Sequence, residues 1–84
     1  PVILPEGTQR VRVMEAMKTA GIQTSIHYPP SHLFTYYRRI HPESVPLPVT
    51  EAAAERELTL PLYPGMSPED VRLVVDTLAE ALRP

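Results

Sequence analysis

Cysteine is absent from these 84 residues, so no disulfide and no thiolate metal ligand can staple the fold. Lysine occurs once, at Lys18, which leaves a single amine for any Schiff-base chemistry within the chain. Glycine occurs three times, as Gly7, Gly21 and Gly65, too scattered to build a phosphate-cradling loop. No segment concentrates positive charge. The formal net charge is −2, with Lys and Arg spread along the chain, so the clustered basic field of a nucleic-acid-binding surface is missing. No apolar run approaches the roughly 18 residues of a membrane span. A cytoplasmic location fits the lack of cysteine and is the expectation.

Proline, by contrast, is abundant: eleven residues, where an average chain of this length carries about 5%. Together with the three glycines this stays below the roughly 25% that marks low complexity. Leu, Ile, Val and Phe supply about a quarter of the residues, above the roughly 20% below which disorder is the default. The chain is a single small domain, and one of this size buries only about 60% of the surface its unfolded form exposes. The core is expected to be thin and stability marginal. The opening run Pro1-Val2-Ile3-Leu4 is apolar with nothing before it, and the chain reads as a piece of something longer.

The prolines punctuate a readable order of elements. Val2–Leu4 is β-prone and ends at Pro5 and Gly7. Thr8 is a plausible N-cap for a helix to Ala20, with Val11, Val13, Met14, Met17 and Ala20 on one face. Gly21 is the expected residue just past its end. In Ile22–Tyr28 the residues Ile22, Thr24 and Ile26 alternate with Gln23, Ser25 and His27, the pattern of a strand, and Pro29-Pro30 ends it. Ser31 caps a predicted short helix over 32–39, where Leu33, Phe34, Tyr36, Tyr37 and Ile40 cluster. Pro46–Thr50 reads as an extended connector, Thr50 as a cap for a short helix over 51–56, and Leu58–Leu62 as a third strand, demoted to an edge by Pro61. Ser67-Pro68-Glu69-Asp70 is the strongest local signal: an N-cap serine, proline at the first helical position and acids in the first turn. The helix it starts runs to about Leu82, with Val71, Val74, Val75, Leu78 and Leu82 along one stripe. The expected fold is an α+β two-layer sandwich: about three strands, mainly antiparallel, with two main helices on one face. The other sheet face is left bare.

Three imidazoles exist, His27, His32 and His41, at spacings that make no helical metal-binding pair. His41 reads as a solvent-facing loop residue, and no metal site is expected. His27 and His32 flank the stiff Pro29-Pro30 turn. That turn can aim both toward one site, or the imidazoles can simply bond to backbone. Lys18 lies three residues after Glu15 on an amphipathic helix, the setting of a surface ion pair, so no catalytic residue is expected in this chain. Of the four tyrosines, Tyr28, Tyr36, Tyr37 and Tyr63, one or two are expected to fill the core. The rest, with Phe34, would make a docking face.

Three stretches carry a resemblance: Gly21–Tyr37 with its His27-Tyr28-Pro29-Pro30-Ser31-His32 segment, Leu47-Pro48-Val49-Thr50-Glu51, and Leu58–Ser67 with Leu60-Pro61-Leu62-Tyr63-Pro64-Gly65. In this order they resemble the C-terminal part of the DegT/DnrJ/EryC1/StrS family, pyridoxal-phosphate-dependent aminotransferases acting on nucleotide-linked keto-sugars. The resemblance implies that residues 1–84 are the small domain of a fold-type-I enzyme. A large N-terminal domain would carry the cofactor and its lysine, none being expected in this chain alone. It implies a homodimer, and an amino transfer from glutamate to a nucleotide-linked sugar. It also implies that His27, Tyr28 and His32 line the substrate side of the site, touching the sugar or its phosphates. One departure is Ser31, where the family often has leucine or isoleucine. The isolated chain is then expected to be inactive. A reading of another class, a small autonomous interaction module with a tyrosine-rich face, uses the same exposed aromatics.

Overall fold

The computed structural model describes the backbone of residues 1–84 and every side chain but that of Ser44. The elements run β1 (Val2–Ile3), α1 (Arg10–Thr19), α2 (Thr35–Ile40), α3 (Pro48–Arg56), β2 (Glu57–Leu58) and α4 (Pro68–Ala81), with short 3-10 turns at Ser31–Leu33 and Pro42–Ser44. The class is α+β with a small antiparallel sheet. β1 pairs with β2 in the register Val2↔Leu58 and Ile3↔Glu57, and Leu4 N–H extends the ladder by donating to the Arg56 carbonyl at 2.8 Å. The six buried apolar side chains are Leu4, Val13, Met17, Ile22, Leu58 and Val74, which places the core between α1, α4 and one face of β2. Arg56 Nη1 donates to the Leu4 carbonyl at 3.1 Å. Arg10 Nη1 donates to the carbonyls of Ala54 at 2.6 Å and Glu57 at 3.2 Å, tying the start of α1 to the end of α3.

The strand expected over Ile22–Tyr28 is reduced to one bridge. Ser25 and Thr59 exchange both backbone bonds, and in an antiparallel ladder the next such pair would be His27 and Glu57. That pair does not form. The His27 N–H donates to the Glu57 side chain, Oε2 at 2.9 Å, while the Glu57 carbonyl accepts from Arg10. Beyond Thr59 the ladder also stops, because Pro61 has no donor, and Leu62 is 92% exposed.

Helix starts show where local signals suffice. At α4, Ser67 Oγ accepts from Asp70 N–H at 3.1 Å and Asp70 Oδ2 accepts from Ser67 N–H at 3.0 Å, a reciprocal capping box. Gly21 has φ +83°, as its place after α1 requires. Thr8 does not cap α1. Its N–H donates to the Pro5 carbonyl in a turn, so α1 begins after Gln9 with no side-chain cap. Ser31 caps no α-helix either: a 3-10 turn comes first, and extended Phe34 (ψ 137°) separates it from α2. The predicted connector 46–50 is partly helical, since Pro48 supplies a helix-ready φ at the first position. The Glu51 carboxylate takes the N–H of Leu47 at 2.7 Å, so Thr50 lies inside α3 rather than at its cap. Val11, Ala20, Val71 and Val75 sit at the margins of their stripes and stay exposed, which is why the core is thinner than the apolar spacing suggests.

The Asp70 carboxyl titrates below its usual range, chiefly because the Ser67 N–H holds the charged form, helped by the Ser67 hydroxyl and opposed by desolvation. A carboxyl lowered in the folded state contributes stability that is present above its unfolded pKa. That contribution is lost as pH falls through the folded value. Asp70→Asn is therefore expected to lower the melting temperature at pH 7 and to converge with the parent as pH falls below the ordinary carboxyl range. Parallel melting curves across that range would contradict it.

Candidate functional site

The segment 22–28 leaves the core at Ile22 and runs beside β2 to Pro29-Pro30. The two prolines turn it out, and the residues from Ile26 to Ser31 line an open hollow at the turn. Cross-strand partners in a sheet point to the same face, so His27 and Glu57 share the face opposite buried Leu58. His27 is 63% exposed in its side chain, with Nε2 3.5 Å from Glu57 Oε1. Tyr28 is 92% exposed, its phenol free to meet a ligand. His27 and Tyr28 thus border one hollow with hydrogen-bonding groups toward solvent.

His32 is placed differently. Its side chain is only 8% exposed, and Nε2 lies 3.5 Å from Glu51 Oε2, an oxygen that already accepts from Leu47 N–H. The nitrogen is buried with no hydrogen-bond partner. His32 therefore packs the far side of the Pro29-Pro30 turn against α3 and does not border the hollow. His41 is solvent-facing as expected, its Nδ1 3.0 Å from Glu43 Oε1.

Glu57 escaped the sequence reading, which passed from helix to strand across it. It is the one buried charged side chain among the described residues, 6% exposed. Burial pushes its carboxyl up, but the Thr59 hydroxyl, the His27 N–H and the nearby imidazole outweigh this and hold it below the usual range. An acid immediately before an alternating strand, two residues from a threonine, was the available signal.

No tyrosine enters the core. Tyr36 packs edge-on to Tyr37 with ring centroids 5.3 Å apart, and Phe34 lies 6.5 Å from Tyr37. All three are exposed, along with Ile40. An amphipathic ring can sit at a boundary at little cost, and so thin a core has no volume for one.

The donors present do not suit pyridoxal phosphate. Lys18, the only amine side chain, is exposed in the last turn of α1, without the desolvated pocket that activates such a lysine. Among the described residues no group of three or more His, Asp or Glu converges as a metal site. No helix among them is long and apolar enough to cross a membrane.

Comparison with known proteins adds two findings. Residues 1–79 match the DegT/DnrJ/EryC1/StrS aminotransferase family. The fold is similar to that of Helicobacter pylori PseC, described as an aminotransferase involved in the biosynthesis of pseudoaminic acid, with a TM-score of 0.80 and 20% sequence identity over 95% of this chain. The chain spans 22% of the length of that structure.

Proposed function

The chain belongs to the DegT/DnrJ/EryC1/StrS aminotransferase family, and from that membership we propose that it serves as the C-terminal small domain of a longer pyridoxal-phosphate-dependent enzyme. That enzyme moves an amino group from glutamate to a nucleotide-linked keto-sugar. The family match over residues 1–79 carries the reading. The role of PseC in pseudoaminic acid biosynthesis agrees with a sugar substrate.

The cofactor supplies the amino-transfer chemistry and is held by the large domain. This chain contributes binding and orientation. His27 and Tyr28 present an imidazole and a phenol at the mouth of the hollow, suited to sugar hydroxyls or diphosphate oxygens. His32 stiffens the same turn from behind, through its packing on Glu51.

The molecular shape supports the need for a partner surface. The accessible area is 6583 Å², against about 5,000 Å² for a free-standing protein of this mass. The radius of gyration is 15.6 Å, against about 12 Å for a compact chain of this length. A large domain and a second subunit of a homodimer would cover the excess. The exposed Phe34–Tyr36–Tyr37 cluster also suits the second reading, an interaction module without enzymatic function.

Two measurements test the proposal. The full-length protein, supplied with pyridoxal phosphate, glutamate and nucleotide-linked keto-sugars, is expected to release 2-oxoglutarate and an amino-sugar identifiable by mass. Cofactor-loaded protein that turns over none of a broad keto-sugar panel would defeat it. The 84-residue chain mixed with pyridoxal phosphate is expected to give no stoichiometric protein-bound chromophore. One that disappears in Lys18→Arg would place the cofactor lysine in the wrong domain.

A further inference from the structure

A buried carboxylate that the fold does not require calls for an explanation. A regular ladder would have satisfied His27 N–H with the Glu57 carbonyl, at none of the desolvation cost of burying an acid. Instead the carboxylate is inserted between the strand and the histidine. Oε2 accepts the His27 N–H at 2.9 Å, Oε1 accepts the Thr59 hydroxyl, and Oε1 faces His27 Nε2 at 3.5 Å. Thr59 is in turn anchored by its two backbone bonds with Ser25. One side chain thus meets the histidine at two points, a hydrogen bond to its main chain and a 3.5 Å approach to its ring, two residues before a rigid turn.

We propose that Glu57 is the positioning residue of this site: it sets the place and the tautomer of the His27 imidazole, so that Nδ1 is presented to the ligand. A carboxylate beside Nε2 favours a proton on that nitrogen, which leaves Nδ1 with the free lone pair of a neutral ring. Nδ1 then accepts from a sugar hydroxyl. The 3.5 Å approach is the loose form of a contact that tightens when a ligand orders the ring, as such contacts do in ligand-free sites. The chemistry is that of carboxylate–imidazole pairs elsewhere, where the acid orients the ring and touches no substrate. The ligand side of this inference rests on the sugar-aminotransferase reading, whereas the coupling of Glu57 to the ring does not.

The test separates the two. In the full-length protein with 15N-labelled histidine, neutral His27 is expected to carry its proton on Nε2, and Glu57→Gln is expected to shift the population toward Nδ1–H. The glutamine keeps an acceptor for His27 N–H and so preserves the fold, where Glu57→Ala would risk losing it. In kinetics, Glu57→Gln is expected to raise the KM for the nucleotide keto-sugar about tenfold, the scale of one charge-assisted hydrogen bond, with the KM for glutamate little changed and the melting temperature lowered modestly, as for any carboxyl that the fold holds below its usual range. Added to His27→Ala, it is expected to cost nothing more. An Nδ1–H ring in the parent, or losses that multiply in the double variant, would overturn the proposal. A ring that still answers to Glu57 while His27→Ala leaves the sugar KM unchanged would overturn the sugar-site reading and leave the coupling intact.

Discussion

Leu58→Ala is expected to leave the 84-residue chain without a folded baseline at 25 °C. Leu58 is fully buried on β2, in a core of six side chains. Leucine-to-alanine changes at such positions cost about 2–5 kcal/mol, the larger values where the surroundings cannot collapse into the cavity. Here they cannot easily collapse, because the Leu58 backbone is held to Val2 by the sheet register and its neighbours are likewise tied. A domain of this length commands about 4–13 kcal/mol in total, and so few buried side chains put it at the low end. One truncation therefore removes most of the margin. Circular dichroism across a urea series checks this, and a variant midpoint within a few tenths of molar of the parent would show that stability resides elsewhere. Val71→Ala serves as the control: Val71 is about half exposed, and the same chemistry is expected to change stability by about 0.5 kcal/mol at most.

What the sequence made legible was what local chemistry decides. The start of α4 was readable because Ser67, Pro68 and Asp70 act within four residues of one another. Gly21 was readable because only its own φ is at issue. The strand expected over Ile22–Tyr28 did not form because its fate turned on residues far apart in the chain: Glu57 captured the His27 N–H, and Arg10 captured the Glu57 carbonyl. The alternation of Ile22, Thr24 and Ile26 contains no trace of either. The start of α3 could have been read from Pro48 followed by Glu51, a pattern that outweighed Thr50 as a cap. The tyrosines were unreadable in a different way, since whether an aromatic ring is core or surface depends on how much core exists.

The candidate site divides along the same line. Pro29-Pro30 after a polar-phase histidine marked where His27 and Tyr28 would stand, and both border the hollow there. The same turn gave no sign of which way His32 would face. That was decided by α3, whose Glu51 lies 3.5 Å from the ring. Nor did it show Glu57, which lies thirty residues on in the chain. A motif thus located the loop, while the partners that orient its side chains came from tertiary packing.

His27→Ala in the full-length protein is the substitution expected to damage activity most. The imidazole is the only side chain at the hollow that is both held from behind by a buried carboxylate and open on its other side. On the proposed sugar-aminotransferase reading, its loss removes a positioned hydrogen bond to the substrate, and it leaves Glu57 without the ring it faces. Removing one partner and leaving the other unsatisfied in a closed site costs about 1–3 kcal/mol, which at 1.36 kcal/mol per decade is roughly a fivefold to hundredfold loss in kcat/KM for the nucleotide keto-sugar. The loss should fall on the sugar and spare glutamate, because the contact serves a group that glutamate lacks. Tyr28→Phe, which removes one hydroxyl from a side chain that is 92% exposed, is expected to cost less, within about tenfold by the same measure. His32→Ala should act through stability instead: it opens space behind the Pro29-Pro30 turn and lowers the melting temperature, with kcat/KM following only as far as the turn loosens. If His32→Ala depressed sugar kcat/KM as severely as His27→Ala without lowering the melting temperature, the inward placement of His32 would not describe the liganded enzyme, and both imidazoles would have to reach the substrate together.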